Sequence, residues 1–141
     1  MVWSGASGDR SLGMLPLYTA LPVVVVDDDP SVLFSVATVL RGAGIERVET
    51  LADGRAVLPL LARLTADEGE QGQAGVAAVI LDLAMPHIDG LQLLPELVRQ
   101  FPEIPILVMT ATDDVRTAVA CMQAGAVDFL VKPMEENRFG G

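Results

Sequence analysis

Three consecutive aspartates, Asp27, Asp28 and Asp29, follow a run of four valines, and a further aspartate, Asp82, ends a second apolar run. Thr110 and Lys132 stand in the same kind of place, each directly after an apolar segment, and Lys132 is the only lysine in the chain. Carboxylates brought into one crevice repel each other unless a cation sits among them. Hard oxygen donors favour Mg²⁺, which takes one or two carboxylates, keeps waters and shares its remaining positions with phosphate. A carboxylate is also a nucleophile able to form an aspartyl-phosphate. Moving a phosphoryl group calls for charge compensation, and a metal, an ammonium and a hydroxyl provide it. Asp27, Asp28, Asp82, Lys132 and Thr110 are the parts such chemistry needs.

These residues matter together only if the fold brings them together. Val23–Val26 is a continuous β-branched run, the pattern of a strand covered on both faces in a parallel sheet. Pro30 suits a first helical turn, with Asp29 before it as the helix cap. Val32, Leu33, Val36, Val39 and Leu40 then recur at helical spacing up to Gly42 and Gly44. Residues 47–51 read as a short strand, and Asp53-Gly54 leads into a second amphipathic helix through Val57, Leu58, Leu61 and Leu64. The pattern repeats with a strand over 76–81 and a helix over 90–101. Pro95 lies inside that helix, where a first-turn position is the tolerant one. A strand over 104–109, a helix over 113–124 closed by Gly125, and a strand over 127–131 follow. Strands alternating with helices through short loops imply right-handed crossovers and an open parallel sheet with helices on both faces. In such sheets ligands bind outside the carboxyl ends of the strands, where all the groups above stand.

The length of 141 residues suits one domain of this kind. With 9 Lys+Arg against 19 Asp+Glu the net charge is -10, which excludes direct nucleic-acid binding by this domain, because phosphate recognition needs a basic face. A single cysteine, Cys121, leaves no internal disulfide and fits a reducing cytoplasm. No apolar run approaches a membrane span. The nearest approach to a signal core, residues 12–26, is broken by Pro16 and Pro22 and runs into the three aspartates. Residues 1–21 lack a clear period and read as a loose leader, in which Met14 is a second candidate start. Residues 65–75 are acidic and Gly-rich and read as a solvated loop.

Four separate segments, taken in order, resemble the receiver domain of bacterial two-component response regulators. They are Val25-Val26-Asp27-Asp28-Asp29-Pro30, Leu81-Asp82-Leu83-Ala84-Met85-Pro86-His87-Ile88-Asp89-Gly90, Met109-Thr110-Ala111 and Lys132-Pro133. The likeness places a receiver domain over residues 22–133, with 134–141 as a short tail. It implies a flavodoxin-like, doubly wound five-stranded sheet of order 2-1-3-4-5. It further implies Asp82 as phosphoacceptor, with Asp27, Asp28, Asp82 and the backbone carbonyl of Ala84 holding Mg²⁺ or Mn²⁺. Thr110 and Lys132 would contact the phosphoryl oxygens. Phe129 would be the switch aromatic that moves with Thr110, although packing alone is the alternative reading of that side chain. The Lys132–Pro133 peptide would be cis. Thr112 is the nearest rival hydroxyl to Thr110, and Thr112 or Asp113 is expected instead to cap the next helix. The implied partners are a sensor histidine kinase or phosphotransfer protein as phosphodonor, and an effector domain or a second copy as receiver of the output.

The tail departs from the family pattern. Met134 to Gly141 has little apolar periodicity, so the fifth helix is expected to be missing or truncated, with an exposed apolar stripe left on the first helix. Two enzymatic or cofactor readings fail on particular residues. A phosphatase working through an aspartyl-phosphate wants a second acid two residues after the nucleophile, and Ala84 is there; no external substrate is expected. A cobalamin-binding motif around His87 wants an aspartate two residues earlier, and Met85 is there, which leaves His87 as a loop residue. Cys121 and Met122 read as helix packing. A phosphorylation-independent, receiver-like interaction module remains the alternative function.

Overall fold

The structure is a computed structural model, and it describes residues 21–66, 75–111 and 114–132. The expected leader, most of the acidic loop, Thr112, Asp113, Pro133 and the tail lie outside the described residues, and with them the expectations of a cis Lys132–Pro133 peptide and of a reduced fifth helix.

Strands β1 (Val23–Val26), β2 (Val48–Leu51), β3 (Ala78–Asp82), β6 (Ile106–Thr110) and β7 (Asp128–Val131) form one sheet in the order β2-β1-β3-β6-β7, every neighbouring pair parallel. Counted among themselves, these five strands run 2-1-3-4-5, the order expected from the sequence. β1, β3 and β6 are buried at every position. Their unbroken Val, Ile and Leu runs are what a strand sandwiched between two helical layers requires.

The two layers divide the core. Val24, Val26, Val79, Leu81, Ile106 and Val108 face one cluster with Val57 and Leu61 of α2 (Val57–Ala66) and with Leu93, Leu94 and Leu97 of α3 (Gly90–Gln100). Val23, Val25, Ile80, Leu107 and Met109 face the other, with Val36 and Leu40 of α1 (Pro30–Gly42). Alternate residues of the same strands thus serve opposite layers, as the period of a strand demands.

Local chemistry sets the helix starts. Asp29 caps α1 as expected, accepting from the Ser31 backbone N–H at 2.9 Å ahead of Pro30 at the first turn. Asp53 and Asp89 cap the helical segments at Gly54 and Gly90 in the same way. The cap of α4 (Val115–Gln123) is Asp114, which accepts from the Arg116 N–H at 3.1 Å; this corrects the expectation of Thr112 or Asp113 and moves the helix start two residues later. Pro95 sits in the middle of α3, past the tolerant first turn. It denies the Leu91 carbonyl an intrahelical partner, and burial of Leu93, Leu94 and Leu97 against the sheet offsets that loss. The expected open stripe on α1 reduces to Phe34, 73% exposed, because Val36 and Leu40 are buried and Val32 and Leu33 half-buried. Two features had no counterpart in the sequence reading: a 3-10 turn over Gly54–Ala56 and a two-residue antiparallel hairpin of β4 (Ala84–Met85) and β5 (Ile88–Asp89).

Candidate functional site

Parallel register brings the chemistry-bearing residues to one edge. β1 and β3 run side by side with Val26 opposite Leu81, so Asp27 and Asp82 leave the sheet as neighbours. Asp82 pairs with Met109 and Thr110 with Val131, which adds the ends of β6 and β7 to the same edge. The Lys132 backbone N–H donates to the Thr110 carbonyl at 2.7 Å, fixing the lysine as the next residue out.

Asp27, Asp82 and Thr110 are the buried polar residues among those described, at 2%, 2% and 3% exposure. One carboxylate oxygen from each of Asp27, Asp28 and Asp82 lies within 4.8 Å of the others. The lysine is drawn into this cluster: its Nζ is 2.7 Å from Asp27 Oδ2 and 3.5 Å from Asp82 Oδ1. Asp27 Oδ1 accepts the Asp29 N–H at 2.9 Å, and Asp82 Oδ1 accepts the Ala84 N–H at 3.3 Å.

Electrostatics follow from this crowding. Burial pushes the Asp82 carboxyl up to about 6, and the nearby charge of Asp27 pushes in the same direction against the pull of Lys132. Burial also opposes the charge on Lys132, but its hydrogen bond to Asp27 and the charges of Asp82 and Asp27 outweigh that and raise the ammonium above its ordinary value. Two buried acids beside an exposed third, with one ammonium, leave negative charge in excess. The donors are hard carboxylate oxygens closely grouped at a solvent edge, a set that fits Mg²⁺.

Each predicted site residue among those described takes a definite place. Asp27, Asp28, Asp82 and Lys132 are brought together, and Thr110 is buried one strand away from Asp82. Ala84 is exposed in β4, two residues beyond Asp82. Phe129 is half-buried against the α2–α3 layer, paired with Val108 of β6. His87 is exposed in the β4–β5 turn, and Cys121 is buried on α4, the places foreseen for both. The sequence reading missed the structural part played by Gly90. A Cβ there would lie 2.6 Å from Leu83 Cα and 2.9 Å from its carbonyl oxygen, so only glycine lets α3 start this close to the Asp82 segment. Asp89-Gly90 at the helix start carries that signal.

The fold and site define a doubly wound α/β domain with an acidic, lysine-bearing crevice at the carboxyl ends of its strands. The family model described as the response regulator receiver domain matches residues 23–140, and the chain belongs to that family. It is 37% identical over 113 residues to the DNA-binding transcriptional regulator NtrC of Salmonella typhimurium, covering 80% of this chain and 22% of that protein. It is 37% identical over 116 residues to the transcriptional regulatory protein FixJ of Bradyrhizobium diazoefficiens, covering 82% of this chain and 51% of FixJ. The chain therefore spans about a fifth of NtrC and about half of FixJ. In fold it is similar to the crystal structure of the CheX-CheY-BeF3-Mg+2 complex from Borrelia burgdorferi, with a TM-score of 0.71 at 21% identity over 84% of this chain and 83% of that one. No helix among the described residues is long and apolar enough to cross a membrane.

Proposed function

We propose that this domain accepts a phosphoryl group on Asp82 from a phosphohistidine of a sensor kinase or phosphotransfer protein, in the cytoplasm, and passes the change to an output surface. The observation that carries this reading is the Asp82 carboxylate itself, almost wholly buried yet open to a crevice that also holds Asp27, Asp28 and the chain's only lysine. An Asp82 carboxylate oxygen forms the new O–P bond while the P–N bond breaks, and the departing imidazole nitrogen keeps that electron pair. With its carboxyl near 6, Asp82 is mostly ionised at neutral pH and ready as a nucleophile.

Asp27, Asp28, Asp82 and the Ala84 carbonyl would hold Mg²⁺. When bound, the ion supplies charge neutralisation for the phosphoryl group in transfer. Lys132, already 3.5 Å from Asp82, pairs with a phosphoryl oxygen on the same carboxylate. Thr110 donates its hydroxyl to another, and Phe129, on the strand beside Thr110, follows that shift. The lasting product is a modified Asp82 on this chain, so no external substrate is turned over. The surface that reads the change is α4 with β7. Val115, Val119 and Met122 on α4 and Val127 and Val131 beside it are all exposed, an apolar patch that suits an effector domain or a second copy.

Mixing the protein with Mg²⁺ and a small phosphodonor such as acetyl phosphate should add one phosphoryl mass to the intact chain, lost on adding EDTA first. Asp82→Asn should stay unlabelled. Equal labelling of that variant overturns the assignment, and a folded wild type that never labels supports the phosphorylation-independent alternative.

A further inference from the structure

The cation site proposed above takes ligands from three places. Two of them, the ends of β1 and β3, are held by the sheet. The third, the Ala84 carbonyl, stands in β4, and the β4–β5 ladder pairs only Ala84 with Asp89 and Met85 with Ile88. A hairpin of that length has no stability of its own in water. Something outside it must fix where Ala84 stands.

Besides the long Ala84 N–H bond to Asp82 Oδ1, the hairpin is held by its side chains. Met85 is buried, and Ile88 packs against the same cluster half-buried. Both reach across to the turn between β2 and α2 and close over Gly54, itself buried. A Cβ at Gly54 would stand 2.6 Å from Ile88 Cγ2 and 2.7 Å from Met85 Cε, so the two side chains occupy the space that any other residue would fill.

We propose that the β2–α2 turn at Gly54 is the seat of the β4–β5 hairpin, and that Gly54, Met85 and Ile88 are positioning residues for the Ala84 carbonyl of the divalent-cation site. None of the three touches the ion. They act by holding the hairpin in one place, so that the carbonyl is preorganised and its ordering cost is met on folding. The inference rests on the cation reading of the acidic crevice.

The test is Mg²⁺ affinity by isothermal titration calorimetry on the full chain without phosphodonor, alongside urea stability in EDTA. Gly54→Val crowds the seat and should weaken Mg²⁺ binding about tenfold, the lower end of what loss of outer support costs a metal site. Met85→Ala removes the anchor without crowding anything and should weaken it in the same direction, which keeps the test decisive if the valine variant does not fold. Gly54→Ala should weaken binding less, because the ends of the Ile88 and Met85 side chains can shift to admit one methyl. Wild-type affinity in a folded Gly54→Val, or in Met85→Ala, overturns the proposal. If wild type itself binds no Mg²⁺, the cation reading fails first.

Discussion

Lys132 Nζ lies 2.7 Å from Asp27 Oδ2 and 3.5 Å from Asp82 Oδ1, so the lysine pairs first with the acid at the end of β1 and only second with the proposed phosphoacceptor. It occupies the place of a cation among buried carboxylates. Removing it strands two charges, and breaking such a pair costs more than the pair itself contributes. Lys132→Met keeps the alkyl stem and deletes the ammonium. It should destabilise the metal-free protein by about 2–3 kcal/mol at pH 7.5, below the range for fully buried pairs because the lysine keeps some solvent contact. Urea melts in EDTA measure this. Mg²⁺ should recover more stability in the variant than in wild type, since the ion then replaces the counter-charge that Lys132 supplied.

The Asp82 carboxyl gives a pH dependence with a definite sign. It is pushed up to about 6 in the folded chain from an ordinary 3.8. Below about pH 4 both states hold the proton and Asp82 contributes no slope. Between about 4 and 6 only the folded state holds it, so stability falls as pH rises, and above about 6 the penalty is constant. The full penalty is on the order of 3 kcal/mol. Asp29, Asp53 and Glu96 lie below their ordinary values and slope the other way at lower pH, and they are common to both proteins in a comparison with Asp82→Asn. The stability difference between Asp82→Asn and wild type in EDTA should therefore grow from pH 4 to pH 6.5 and then level off. A difference that is flat across that range removes the burial argument.

Gly90 gives a third prediction. The nearest atoms to a Cβ there belong to the backbone of Leu83 rather than to a side chain that can swing away. Gly90→Ala should cost about 1–3 kcal/mol, the usual range for overpacking. Thermal unfolding in EDTA checks this.

The sheet was legible because its strands carry a pattern with one physical meaning: β1, β3 and β6 are apolar at nearly every position, and only a strand covered on both faces needs that. The site was legible because parallel strands deliver their carboxyl ends to one edge, so Asp27, Asp82, Thr110 and Lys132 had to be neighbours once the order was known. What escaped were features set by contact between distant segments. The β4–β5 hairpin is too short to show a period. Gly54 reads as an ordinary turn residue until Met85 and Ile88 are seen closing over it. The cap at Asp114 could not be told from its neighbours, because Thr112, Asp113 and Asp114 all have side chains able to cap.

The three adjacent aspartates should separate by experiment. Asp29 accepts from both the Ser31 N–H and the Ser31 hydroxyl, at 2.9 and 2.8 Å, and those bonds hold its carboxyl below the ordinary value. Its work is at the start of α1. Asp28 is exposed, with a carboxylate oxygen in the cluster with Asp27 and Asp82. Asp29→Ala should cost about 1 kcal/mol of stability in EDTA, the usual loss for a helix cap. Its effect should shrink on acidification, since a lowered carboxyl contributes above its unfolded value and loses that contribution as pH falls through the folded one. Asp28→Asn should leave stability in EDTA within about 0.5 kcal/mol, as for other surface changes. Its Mg²⁺ affinity should fall by about tenfold or more, as for loss of a group that supports a metal site. Mg²⁺ titrations on both variants, paired with urea melts, decide the matter. If Asp29→Ala loses Mg²⁺ and Asp28→Asn loses stability, the two neighbours have exchanged the parts assigned to them, and the cation site must be redrawn around the helix cap.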